Sequence, residues 1–237
     1  MAILRFLTPL AFIASLNAGI ITFTGSDTGA GSADPRPNSN AAAASFDTAA
    51  AALGTENLIT FESAPLGAFT NLTVATGVTI NGTDYVGNPQ TISATDQGPL
   101  FAYNTTAGGS KYLYVYAGNV IFTFGPGVQA FGAYLTGVQL DGETILFDDG
   151  TSETITIPDP GNGVGGVEFV GFTDAGKSIA SIEFYTPNPS NSLGDFIGVD
   201  DVRFVTNGAV TAPEPSTMLL MSAALSGLGL LRLRRKS

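Results

Sequence analysis

From Asn57 onward, apolar residues recur at alternate positions in short runs broken by turn residues. "YLYVYA", "VIFTF" and "SIEFY" each set one apolar face against a more polar one, the period of a half-buried strand. The pattern predicts strands at Leu58–Glu62, Leu72–Ile80, Thr91–Ala94, Lys111–Tyr116, Val120–Phe124 and Ala130–Leu135. Further runs follow at Thr144–Phe147, Thr154–Ile157, Val167–Phe172, Ile179–Tyr185 and Phe196–Phe204. Asn81-Gly82, Gly108-Gly109, Gly125-Pro126-Gly127, Asp141-Gly142 and Asp149-Gly150 supply turn chemistry between them. Roughly ten strands with no interior helix imply an all-β fold, a β-sandwich of jelly-roll-like form over residues 57–206. No internal repeat is visible, which disfavours a propeller or solenoid.

Two segments break the strand pattern. "AAAASFDTAAAALG" predicts one short helix, with Phe46, Ala50 and Leu53 on one face, Asn40 as N-cap and Gly54 at its end. Residues 34–56 therefore read as linker plus helix, and "GSDTGAGSADPRPNSN" as a flexible linker in front of it. At the C-terminal end Met218–Leu231 is apolar and Arg232 stops it. Counted from Pro215 the run has about 17 residues, near the lower limit for a transmembrane helix. Arg232, Arg234, Arg235 and Lys236 would hold its end in the cytoplasm. At the other end, Arg5 followed by apolar Phe6–Ile13 and then small residues predicts a secretory signal peptide within residues 1–33. Ala18 is a cleavage candidate with Leu16 poorly suited at minus three; Ala30 and Ala33 are later candidates.

Composition narrows the chemistry. The chain has 237 residues and no Cys, His or Trp, so disulfides, thiol nucleophiles, Cys/His zinc sites and the commonest general base are excluded. Net charge is −11, and between Asp47 and Arg203 17 acids face only Lys111, Lys177 and Arg203. Such a surface repels phosphate backbones, so nucleic acid is not an expected partner. Without His or Cys the remaining catalytic option is a carboxylate pair of glycosidase type, from Glu62, Glu143, Glu153, Glu168 and Glu183. Nothing in the sequence pairs them, and the expectation is a non-enzyme.

"APEPSTMLLMSAALSGLGLLRLRRKS" resembles a PEP-CTERM sorting signal: Pro213-Glu214-Pro215, a short apolar helix with glycine in its second half, then an arginine cluster. The same kind of tail also carries the historical label of ice-binding-protein C-terminal domain, which implies nothing about ice. The resemblance implies export by the Sec machinery, a transient stay in the inner membrane, and recognition by an exosortase near Pro-Glu-Pro. The released protein would go to the cell surface or an exopolysaccharide matrix, with residues 207–212 as linker and 213–237 as signal. Pro213 and Pro215 keep the backbone out of helix, as suits a peptide offered to a protease.

The passenger, in "ITFES", "AFGAYLTG", "DDGTSETITIP", "VGFTDAG" and "FIGVDDVRF", resembles β-sandwich domains found ahead of such tails. Its first and last strands also resemble the edges of carbohydrate-binding-module jelly rolls. There a Glu on the first strand and an Asp on the last can share a structural calcium, here Glu62 with Asp200 or Asp201. Calcium takes oxygen ligands at about 2.3–2.6 Å. Strand alternation places Asp200 and Asp201 on opposite faces, with Arg203 positioned to pair with Asp201. Tyr112, Tyr114 and Tyr116 share one face, which is either core or, if exposed, a sugar-binding platform; Tyr103, Tyr134 and Tyr185 are further candidates. "GNGVGG" (161–166) fits G-x-G-x-x-G, but a strand and not a helix follows it, so it reads as a loop. Asp148-Asp149-Gly150 reads as a hairpin turn.

Overall fold

The computed structural model describes residues 19–138, 143–147, 150–155, 163–174, 177–186 and 195–206. Among them the chain is all-β with one helix. The order is β1 (Ile21–Thr28), α1 (Pro37–Ala51), β2 (Glu56–Ile59), β3 (Gly67–Phe69), β4 (Asn71–Ala75), β5 (Val78–Asn81), β6 (Gln90–Ser93) and β7 (Tyr112–Tyr116). Then come β8 (Gly118–Thr136), β9 (Glu143–Phe147), β10 (Ser152–Ile155), β11 (Gly166–Thr173), β12 (Ile179–Thr186) and β13 (Phe196–Thr206). The pairings between these strands are antiparallel. No helix among the described residues is long and apolar enough to cross a membrane; the expected transmembrane run lies outside them.

β8 organises the fold. The sequence predicts two strands separated by a turn at Gly125-Pro126-Gly127; the structure has one 19-residue strand running through that point. Its first half pairs with β5 and β12, its second half with β11 and β13. Partners on both sides of both halves supply the ladder bonds that override the local turn chemistry. In the first half Val120, Phe122 and Phe124 are buried while Thr123 is exposed, as expected where one face packs and the other meets water. In the second half every residue from Ala130 to Thr136 is buried, so both faces are covered.

The inner face gathers Phe122, Phe124, Phe131, Leu135, Phe172, Phe184, Val199, Val202 and Phe204 into one core, to which β5, β7, β12 and β13 also contribute. The outer face carries Ala130 and Tyr134, which pack with Val167, Phe169, Val205 and the helix residues Ala42, Ala43, Phe46 and Ala50. The helix thus lies over the sheet face made by β1, β11 and the second half of β8. A run of alanines allows the close approach, and Phe46 packs its ring against two glycines of the sheet. These, Gly132 and Gly171, are register partners. A Cβ on Gly132 would meet Phe169 Cζ at 2.7 Å, and one on Gly171 would meet Phe46 Cδ2 at 2.8 Å. Gly171→Val is accordingly expected to cost about 1–3 kcal/mol, measured by urea unfolding.

The helix starts earlier than the sequence suggests. Pro37 occupies the first turn, where its missing N–H costs nothing, and Arg36 stands at the cap position without a side-chain cap bond. Asn40 is not the cap. Asp27 supplies the cap from β1: Oδ1 accepts from Asn38 N at 3.1 Å and Nδ2 at 2.9 Å, and Oδ2 accepts from Ser39 N at 2.9 Å and Oγ at 2.8 Å. Burial pushes the Asp27 carboxyl up, but the Ser39 and Asn38 hydrogen bonds outweigh it and hold it below its ordinary value. A depressed carboxyl adds stability above its unfolded pKa and loses it as pH falls through the folded one. The wild type should therefore lose more stability than Asp27→Asn on acidification below about pH 4, read from melting temperatures across pH.

β1 is itself a correction. The span from Ile21 to Thr28 falls where the sequence suggests leader and linker, yet it forms eight paired positions with β11, from Ile21↔Thr173 to Thr28↔Gly166. Other boundaries shift less. The expected Leu72–Ile80 strand is a hairpin of β4 and β5 turning at Gly77, and β3 was not anticipated. β2 stops at Ile59, because Phe61 takes a left-handed backbone (φ 60°) and breaks the ladder. β9 and β10 pair as expected for a hairpin across Asp148-Asp149-Gly150; Asp148 and Asp149 lie outside the described residues. Gly166 opens β11, so a strand follows the glycine-rich run as anticipated.

Candidate functional site

Two adjoining groups of side chains converge on the segment between residues 101 and 116. The first is acidic. The pairing of β13 with β8 skips between Asp200↔Tyr134 and Arg203↔Gly132, which marks a bulge, and Asp201 sits at φ 47° within it. The bulge cancels the alternation, so Asp200 and Asp201 reach the same loop instead of opposite faces. Asp200 Oδ2 accepts from Thr105 N at 2.7 Å, Thr106 N at 3.1 Å and Asn104 Nδ2 at 3.0 Å. Asp201 accepts from the Thr105 hydroxyl at 3.0 Å and the Thr106 hydroxyl at 2.7 Å. Asp200 is fully buried. Burial first, and then the neighbouring Asp201 charge, push its carboxyl up to about 7.

Arg203 does not pair with the Asp201 carboxylate. Its Nε lies 3.2 Å from Asp47 of α1, while Nη1 donates to the Asp201 carbonyl at 3.0 Å. Its guanidinium lies 5.3 Å from the Tyr134 ring centroid, with Arg36 at 5.1 Å from the same ring. Arg36 also donates to the Thr105 carbonyl at 2.5 Å, which holds the loop from the helix side.

Glu62 closes the loop at its other end. Its Oε1 accepts from Ser110 N and Lys111 N, both at 2.8 Å, and from Asn104 Nδ2 at 3.3 Å. The Asn104 amide donates also to the Lys111 carbonyl at 2.7 Å. Three oxygens, from Glu62, Asp200 and Lys111, thus converge on one amide nitrogen. The trio read from the sequence is brought together around a single loop. Among the described residues no group of three or more His, Cys, Asp or Glu is arranged to hold a metal ion. The oxygen set here, two carboxylates and a carbonyl, has the hard-donor chemistry that suits calcium.

The second group is aromatic, and that loop leads straight into it. β7 presents its three tyrosines in graded exposure: Tyr112 is fully buried, Tyr114 half-buried and Tyr116 37% exposed. Tyr112 is core, its hydroxyl donating to the Thr95 carbonyl at 2.7 Å. Burial first, then Tyr112, Tyr116 and Asp195 beside it, push the Tyr114 hydroxyl up to about 12. Of the two alternatives read from the sequence, core holds for Tyr112, and two rings not singled out there, Phe101 and Phe196, stand beside Tyr114 and Tyr116. Phe196 opens β13 directly opposite Tyr116. Its ring lies 4.6 Å from Tyr116, 6.4 Å and nearly parallel to Tyr114, and 5.7 Å from Phe101, which is 39% exposed. Gly198 stands opposite Tyr114 and leaves that position without a facing side chain. Gln90 fixes the end of β7, its Oε1 accepting from Tyr116 N at 2.8 Å.

The other candidates that the structure describes are buried or hydrogen-bonded within the domain. Tyr103 is buried and its hydroxyl donates to the Ala30 carbonyl; Tyr134 donates to Asn40 Oδ1 at 2.8 Å. Glu183 accepts from Asn119 Nδ2 at 2.8 Å, and Glu168 is buried within β11. The side chains of Glu143, Glu153 and Tyr185 lie outside the described residues, as do Pro213, Glu214, Pro215, Arg232, Arg234, Arg235 and Lys236.

Residues 211–236 match the family model of the PEP-CTERM protein-sorting motif, so the chain carries that motif at its C-terminal end. No curated protein matches the chain. Among solved structures it is similar to a mutant of the carbohydrate-binding module CBM29-2, at 12% identity and a TM-score of 0.35 over 68% of this chain and 99% of that one. A cleaved adhesin domain of Lys-gingipain from Porphyromonas gingivalis gives 13% and 0.38 over 65% and 100%. TmCBM61, solved with β-1,4-galactotriose, gives 12% and 0.32 over 62% and 94%. Likenesses this distant leave the function to be argued from the chain's own residues.

Proposed function

We propose that this chain is an exported protein that an exosortase sorts, through Pro213-Glu214-Pro215, to the cell surface or extracellular matrix. The match of residues 211–236 to the sorting motif carries this reading. The Sec machinery would export it, the apolar run would hold it briefly in the inner membrane, and Arg232, Arg234, Arg235 and Lys236 would stop its transfer. The β-domain, a sandwich of jelly-roll type in this reading, serves there as a non-catalytic, polysaccharide-associated component. The loop bonds of Glu62 and the Asn119 contact of Glu183 support a structural use of these carboxylates. Replacing Pro213, Glu214 and Pro215 together with alanine should shift the protein into the membrane fraction with its tail retained. Unchanged distribution would sink the sorting claim.

The aromatic group favours a second, more specific reading: a carbohydrate-binding module. Tyr114, Tyr116, Phe101 and Phe196 offer apolar ring faces to the C–H faces of a neutral sugar, on a protein whose negative charge repels anionic polymers. In this reading Glu62, Asp200, Asp201 and the Lys111 carbonyl would hold a calcium ion in place of the Asn104 amide, and the ion would stiffen the loop that leads into β7. Co-sedimentation of the purified protein with its host's exopolysaccharide tests both parts. Phe196→Ala and Tyr116→Ala should each weaken binding at least about tenfold, about 1.4 kcal/mol. Chelator should weaken it as well. Binding that survives both substitutions rules out the ring face, and no binding by the wild type leaves the matrix role alone.

A further inference from the structure

The first strand bears on where the leader is removed. Ile20 packs against the main core, and Ile21–Thr28 pairs along its whole length with β11. Phe23 sets its ring edge against Phe46 at 5.9 Å. Asp27 caps α1 through four hydrogen bonds. Gly29 N donates to the Gly165 carbonyl at 2.9 Å, and Ala30 accepts from the buried Tyr103 hydroxyl. Ser32 Oγ donates to Asp96 at 2.5 Å. Gly19, by contrast, is exposed and precedes the strand.

We propose that signal-peptide processing cuts between Ala18 and Gly19, and not after Ala30 or Ala33. The inference rests on the export reading above. A cut after Ala30 or Ala33 would remove β1 whole. It would strip one edge of β11 of its ladder partner, leave the start of α1 without a cap, and take away a partner of the Phe46 ring. A cut after Ala18 leaves every one of these contacts in place. A small residue stands at minus one, and Leu16 at minus three is the one poor match to the small-residue pattern. The reaction is hydrolysis of one amide: water gives its hydroxyl to the Ala18 carbonyl carbon and a proton to the departing Gly19 nitrogen.

The test is the N-terminal residue of the protein recovered outside the inner membrane after expression of the full chain. Gly19 is the expected residue. Gly31 or Asp34 would overturn the proposal while leaving export intact. Met1 would overturn the proposal together with a cleaved leader, and recovery only from the cytoplasm would defeat the export reading itself. As a companion, Ala18→Leu should block processing, whereas Ala33→Leu, an exposed position, should leave it unchanged. The opposite pattern would overturn the assignment.

Discussion

Phe46→Ala is expected to destabilise the domain by about 3–5 kcal/mol. The ring is fully buried, sits 5.6 Å from Phe169 and 5.9 Å from Phe23, and lies over the hollow that Gly132 and Gly171 leave open. A backbone built around paired glycines cannot collapse into the space that the ring vacates, so transfer and cavity costs both apply. The lost ring contacts add about 0.5–1.5 kcal/mol each at most. Alanine has the higher helix propensity, a gain of under about 1 kcal/mol that does not compensate. Urea unfolding of Phe46→Ala beside an exposed control on the same helix, Thr48→Ala, isolates the effect. A loss below about 1 kcal/mol would mean that the helix is only draped on the sheet.

Asp200→Ala comes next, with an expected loss of roughly 2–5 kcal/mol. Two backbone amides, Thr105 and Thr106, lose their acceptor in a buried setting, while the Asn104 amide keeps the Lys111 carbonyl. Each stranded donor costs about 1–3 kcal/mol. Relief of the crowding between Asp200 and Asp201 works the other way and trims the total. Asp200→Asn separates the two effects: it keeps an oxygen acceptor and removes the charge. Without divalent cations it should stay within about 1 kcal/mol of the wild type, while Ala does not. In the presence of calcium the wild type should gain stability and Asp200→Asn should not, since ligand binding raises stability only where the site is intact. A loss below about 1 kcal/mol for Asp200→Ala would show that Asp200 is not the anchor of the 104–111 loop.

How much of this was legible in the sequence depends on whether the cause was local. Alternation found β7 and β12, where burial follows one face, while β11 and β13 are buried on both faces and were legible as apolar runs bounded by turn residues. Glu62, Asp200 and Asp201 were named together through a resemblance of strand ends; they meet around one loop, although Glu62 lies beyond the end of β2. Their arrangement was not legible: it follows from a bulge at Asp201, and a bulge is set by pairing with β8, not by residues 200 and 201 alone. β1 escaped notice because its partner β11 lies far along the chain, and its own Gly-, Ser- and Thr-rich composition reads as linker. The single long β8 hid behind Gly125-Pro126-Gly127, a strong turn signal overridden by partners on four strands. Phe196 looked like one more strand residue until its pairing with Tyr116 made it the shared neighbour of three rings. Domain boundaries drawn at residue 57 would discard β1 and α1, and with them the cover of the outer sheet face.

The most direct test of the sorting claim is the C-terminal residue of the protein recovered from the cell surface or the surrounding matrix, read by peptide mass spectrometry. The expected result is a chain that ends within or just before Pro213-Glu214-Pro215 and lacks Met218–Leu231 and the basic residues after it. A surface protein that retains peptides through Arg235 would contradict exosortase processing and leave the tail as a permanent anchor.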